Sequence, residues 1–373
     1  MGQAPASGDP SQRIHFLDVS RALFMLLGIP FHAALVYSSA IWAVSSPDKS
    51  AALEYLPTIL SSFRMPGFFM IAGFFAALLL QRRSAADWLR MRIVRLGIPL
   101  LTGIAMIVPL QNAVLRLAPL NAVQLPGSDA NALFSHLWFL PVLLMLCAGL
   151  AIGWKLVRRV RWPDLPFWSL GLLVGLWLIG LQYAKTIVNL APMGGFIDLQ
   201  SVLADAPFFM LGVAARLNPA ILARLTRQDG KVVAIGLLAL VVHCQLRHPI
   251  GPAEFAVSKL SEGLAALCLM QTVIAILARW FDRPSPIVDR MVDASFTIYL
   301  LHHPVIIVLS VLLLPLAVPP LVEWTLICAA TLTLSYAMHR AISRSGLLLL
   351  LFNGVVPRSG RGLLTQPSAP TPS

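Results

Sequence analysis

Residues 56–80 read LPTILSSFRMPGFFMIAGFFAALLL, twenty-five positions with a single charge, and residues 81–95 follow as QRRSAADWLRMRIVR. An apolar helix of about 20 residues crosses the ~30 Å hydrocarbon core of a bilayer. Clustered arginines at its end are the signal that keeps that end in the cytoplasm. The stretch therefore reads as a transmembrane helix that leaves the membrane into a basic loop holding Arg82, Arg83, Arg90, Arg92 and Arg95.

The same ruler applied outward from this helix predicts spans near 22–44, 96–114, 137–154, 167–184, 201–215, 232–245, 257–278, 294–314 and 321–338. With 56–80 these make an all-α polytopic bundle of about ten helices. The sixth and seventh, 201–215 and 232–245, are short, and 347–352 is too short to cross. If alternate loops face one side, they and the two ends collect twenty-two of the twenty-eight Lys and Arg residues. Such a bias predicts an even number of spans and both termini in the cytoplasm. The sequence divides into a polar segment 1–15, a transmembrane domain 16–356 and a Pro/Ser/Gly-rich tail 357–373, expected to be disordered.

Composition agrees. Of 373 residues, 58% are hydrophobic and 12% charged, and mean hydropathy is +0.79; a soluble domain carries about 25% charged residues. The net charge of +12 lies in short clusters between apolar runs, a pattern that fits topology signals and anionic lipid rather than nucleic acid. The four cysteines sit in or beside apolar runs without metal-ligand spacing and read as core residues; no metal site is expected. Walker loops, G-x-G-x-x-G, HExxH and nucleophile-elbow motifs are missing, which argues against nucleotide or zinc hydrolysis.

Ionisable groups inside a span are expensive and are functional candidates by default. In the first span Asp18 and Arg21 precede His32 by fourteen and eleven residues. Eleven residues make close to three turns at about 3.6 per turn, so Arg21 and His32 share a face about 16 Å apart. The Arg can hold a phosphate at the headgroups while the His serves as base or nucleophile at mid-bilayer. The plainer alternative is a snorkelling Arg and a His bonded to a neighbouring helix. Ser295, Tyr299 and His302 form one helical stripe, with His303 before Pro304, either as a site wall or as an interhelical hydrogen-bond network. Arg92 and Arg95, one turn apart, read as a topology anchor or as a clamp on an anionic ligand. Arg64, His136 and Trp138 could line a pocket on the opposite face.

Five blocks carry a resemblance: FLD at 16–18 with Arg21 and His32, FRMPGFFMIAGF at 63–74, RIVRLGIP at 92–99, HLWFL at 136–140 and SFTIYLLHHP at 295–304. Together, in this order, they resemble the acyltransferase-3 family of membrane proteins, in particular its glucan-modifying branch. The resemblance implies O-acyl transfer from a cytoplasmic acyl-CoA to a carbohydrate on the periplasmic side of a bacterial inner membrane, with no permanently bound cofactor. In that branch the group is succinyl and the acceptor a periplasmic glucan, and a glucan synthase is a candidate partner. By position, His32 would be the catalytic histidine. Arg21, Arg92 and Arg95 would help to hold the acyl-CoA, and Asp18, Arg64, His136, Trp138, Tyr299 and His302 are substrate-site candidates. A proton-coupled transporter using the intramembrane histidines is the alternative from another class, although the inverted repeats that such proteins carry are not found.

Overall fold

The computed structural model describes residues 14–118, 122–123, 134–192, 197–316 and 318–356. The tail 357–373 and nearly all of the polar segment 1–15 lie outside these. Among the described residues the protein is helical, with one isolated antiparallel bridge, Val44–Val123.

Among the described residues, eight helices are long and apolar enough to cross a bilayer. They are α1 (His15–Leu35), α2 (Ala51–Leu80), α3 (Ala85–Leu117), α4 (Ser135–Val157), α5 (Phe167–Ile187), α9 (Pro252–Trp280), α10 (Pro286–Leu316) and α11 (Pro320–Ile342). Between α5 and α9 lie α6 (Leu199–Leu217) and α7 (Pro219–Thr226), a pair bent by 111°, and the shorter apolar helix α8 (Gly230–Gln245). The bend is local chemistry. Pro219 brings no helical N–H, and the Asn218 side chain accepts from the Ala220 N–H as the N-cap of α7. The two spans that read as short in the sequence are thus the broken pair and α8. A last helix, α12 (Gly346–Asn353), is too short to cross and packs on α3.

The first span begins earlier than its apolar run suggests. It starts at His15 and stops at Leu35, and residues from Ser38 to Ser50 form an irregular strap. Asp18 and Arg21 are accommodated in the helix because they pair with each other at 3.4 Å. The strap is pinned by Glu54, whose carboxylate accepts from the Ser39 amide at 2.7 Å and from Arg247 at 3.0 Å.

Packing centres on α2, which touches α1, α6 and α9. At the α2–α6 crossing, Gly73 lies against the Phe209 carbonyl and Gly212 against the Met70 carbonyl, so closely that a Cβ on either would strike main chain. Such small-residue crossings are how apolar helices associate where lipid supplies no hydrophobic drive. Large apolar side chains on the perimeter, among them Leu101, Met106, Ile152 and Leu238, are more than half exposed, as a lipid-facing surface requires.

Helix α3 is irregular in a useful way. It contains two π turns, Ile93–Gly97 and Gly103–Ile107, separated by one α-helical turn. The first carries Arg95. Gly354, which ends α12 with φ +61°, is pressed against the main chain of Arg95. Only a residue without a Cβ sits there at no steric cost.

Candidate functional site

At the arginine-bearing end, α1, α2, α3, α4, α10, α11 and α12 enclose a cavity of about 390 Å³. Arg21, Arg92 and Arg95 line it together, with Asp293, Ser295, His339 and Asn353 as further polar groups and Phe68, Phe75, Phe139 and Leu143 as apolar wall. Arg21 lies over the Phe75 ring at 5.6 Å and Arg92 over Trp88 at 5.7 Å, so aromatic faces hold two of the three guanidinium groups. Three arginines against two aspartates, Asp293 on the wall and Asp18 paired with Arg21, leave the mouth net positive, and the guanidinium fork suits phosphate oxygens.

Met25, Phe68 and Phe139 line this cavity and also border a separate void of about 10 Å³, together with Arg64 and Tyr299. Arg64 is 5% exposed. Its guanidinium sits over Phe31 at 4.7 Å, its Nε has no hydrogen-bond partner, and it makes no ion pair among the described residues.

Beyond Arg64 four histidines from three helices meet. The His32 ring lies 5.3 Å from His302 and 4.8 Å from His303, and His136 stacks on His303 at 4.5 Å. Trp42, from the strap, closes the group, 6.2 Å from His32 and 5.3 Å from His303. Local chemistry sets each ring. Pro304 has no N–H for the carbonyl four residues back, that of Leu300. The His136 Nε2 fills that gap, donating to the Leu300 carbonyl at 3.1 Å. His302 donates from Nδ1 to the Tyr299 carbonyl at 2.5 Å, and the Tyr299 hydroxyl donates to the His136 carbonyl. His303 donates from Nδ1 to the Gln111 side-chain oxygen at 2.8 Å, while the Gln111 amide donates to the Ser135 hydroxyl at 3.2 Å. Ser135 holds φ at +47°, an uncommon conformation for a residue with a Cβ.

A carbonyl can only accept, so it fixes which ring nitrogen carries the proton. His302 and His136 therefore present lone pairs at Nε2 and Nδ1 respectively. Both atoms are buried without a partner, as is His32 Nδ1.

Of the residues singled out in the sequence, Arg21, Arg92 and Arg95 share the cavity with Phe139 and Ser295. His32, Arg64, His136, Tyr299 and His302 gather beyond its inner end. His32 is not on the cavity wall, and helix α1 serves both regions across a break at Leu27. Trp138 packs into the apolar core instead. Asp18 serves Arg21. Sequence reasoning passed over Trp42, Gln111 and His339; for Gln111 the signal was an amide amid the apolar run of α3. Three of the four cysteines are buried core residues and Cys328 is partly buried.

Residues 14–340 match the acyltransferase domain of the acyltransferase-3 family. The chain is 33% identical over 318 residues to the glucans biosynthesis protein C of Escherichia coli (strain K12) and of Escherichia coli O81 (strain ED1a), covering 79% of this chain and 82% of each relative. No solved structure matches. A helical membrane bundle matched over this length leaves one assignment: the chain belongs to the acyltransferase-3 family of membrane acyltransferases.

Proposed function

We propose that the protein transfers an acyl group, succinyl in the first instance, from cytoplasmic acyl-CoA to a hydroxyl of a periplasmic glucan or related carbohydrate. It would do so from a bacterial inner membrane, with both termini in the cytoplasm. The observation that carries this reading is the shared cavity of Arg21, Arg92 and Arg95, whose Met25, Phe68 and Phe139 also border a small void with Arg64 and Tyr299, Arg64 in turn flanking Gly28 with His302. The arginine-bearing end is the side favoured by twenty-two of the twenty-eight basic residues, so a phosphate-bearing donor would meet it from the cytoplasm. The relatives named for glucan biosynthesis support the acceptor class.

In this scheme the three arginines hold the donor phosphates and the acyl thioester reaches past Met25, Phe68 and Phe139. His32 acts at the junction as base or as transient acyl carrier. The acceptor would approach from the opposite end, where the strap carries Trp42. The test is a proteoliposome assay with labelled succinyl-CoA and glucan. Wild type labels the glucan and His32→Ala does not. Equal labelling by both removes His32 from the chemistry, and solute uptake without transfer from any acyl-CoA favours a transporter.

A further inference from the structure

We infer that His302 is a general base for the acceptor hydroxyl, which bridges His302 and Arg64 where the two side chains converge beside Gly28. The inference rests on the acyl-transfer reading above and adds the seat of the acceptor and the group that takes its proton.

Three observations converge. First, the tautomer is set: Nδ1 of His302 donates to the Tyr299 carbonyl at 2.5 Å, so the Nε2 lone pair is the reactive end, and it is buried without a partner on a residue 1% exposed. An oriented imidazole with one nitrogen anchored and the other free is the arrangement a general base needs. Second, the Arg64 guanidinium is a buried cation with no acidic partner among the described residues and an unpartnered Nε. Burying such a group is costly unless something negative or strongly polar comes to it. Third, the two groups flank one glycine. A Cβ placed on Gly28 would stand 3.1 Å from His302 Nε2 and 3.4 Å from Arg64 Nη1, so the two nitrogens lie no more than 6.5 Å apart. A hydroxyl oxygen bridging them would donate its proton to the histidine and accept from the arginine. The His32 ring is 5.3 Å from that of His302, so the pair lies beside the residue expected to handle the acyl group.

The chemistry balances. The acceptor O–H bond breaks, its proton goes to His302 Nε2, and Arg64 stabilises the developing alkoxide. The oxygen attacks the acyl carbonyl carbon, and in direct transfer the C–S bond breaks. The imidazolium proton is then passed to the departing thiolate, which leaves CoA as the free thiol and His302 neutral.

The experiment uses the full chain in proteoliposomes with succinyl-CoA and two acceptors, a glucan oligosaccharide and a thiosugar whose sulfhydryl loses its proton readily. Removing a general base costs about 10²–10⁴-fold. His302→Ala and His302→Gln should therefore lose that much transfer to the hydroxyl acceptor while the donor KM stays nearly constant. Added imidazole should restore the Ala variant, and the loss should shrink for the thiosugar. Gly28→Ala should fold, because the new methyl displaces only side-chain ends, yet abolish transfer. Arg64→Met should lower kcat for acetyl and succinyl donors alike. No imidazole rescue together with equal losses for both acceptors overturns the base role, as does an active Gly28→Ala. An Arg64→Met defect confined to succinyl-CoA overturns the seat, assigning Arg64 to the donor's far carboxylate. A wild type that transfers to neither acceptor from any acyl-CoA defeats the acyl-transfer reading itself.

Discussion

The imidazole of His136 takes the place of the N–H that Pro304 lacks, donating to the Leu300 carbonyl across 164 positions of sequence. The proline thus opens an acceptor inside the bundle, and the ring that fills it is held in one tautomer.

Pro304→Ala supplies an amide to close the helix ladder onto Leu300 and competes with His136. Losing an orienting contact of this kind costs about 10–100-fold in function. We expect transfer to fall within that range while the thermal midpoint holds or rises, read by the proteoliposome assay and by scanning fluorimetry.

Single substitutions of Arg92 or Arg95 by Gln should raise the acyl-CoA KM about tenfold or more, because a hydrogen bond to a charged group contributes about 1.5–3 kcal/mol. The effect should fade when CoA is replaced by a short thioester that lacks phosphates, and unchanged KM values for both variants would remove them from donor binding.

Gly354→Ala should destabilise the protein and disturb Arg95. The φ of +61° disfavours any Cβ, and this Cβ would meet the Arg95 main chain. A strained backbone position costs about 1–3 kcal/mol. Differential unfolding should detect it, together with a raised donor KM.

Gly212→Leu should be more severe for assembly than for chemistry. Its Cβ would strike the Met70 carbonyl at the crossing of α6 and α2. Overpacking a tight contact costs about 1–3 kcal/mol, and here rigid main chain has to move, so low yield in the membrane fraction is the expected readout.

Orientation is open to direct test. A cysteine at Arg159 should react with an impermeant thiol reagent only from the cytoplasmic side. One at Ile250, which is 94% exposed in the α8–α9 connection, should react only from the periplasmic side. The reverse pattern would invert the topology expected from the basic residues.

The helices were legible because each is a long apolar run and lipid demands that its backbone bonds close within the segment. The sixth and seventh spans were visible as short, and Asn218-Pro219, which breaks the sixth from α7, stands plainly in the sequence. The three arginines of the cavity were legible as residues but not as one group, since Arg21 and Arg95 meet only after α1 and α3 pack. The histidine cluster was less accessible still. Its bonds join positions 136 to 300 and 111 to 303, and no spacing along one helix encodes them. Trp42 was hidden for another reason: its apolar neighbours read as the end of a span, whereas the chain there is a strap.

The two π turns of α3 carry a consequence for phase. Each extra residue wound into a helix turns everything beyond it by about 100°. Arg92 before the first turn, Arg95 within it and Gln111 beyond the second are therefore held in an angular relation that an unbroken α-helix of the same sequence would not give. Deleting one residue from Gly103–Ile107 would keep a helix, an apolar surface and both arginines, yet swing Gln111 away from His303. The phase between the arginine-lined mouth and the histidine cluster is thus set by helix winding, and length variation in this helix can uncouple the two ends without replacing any side chain of either.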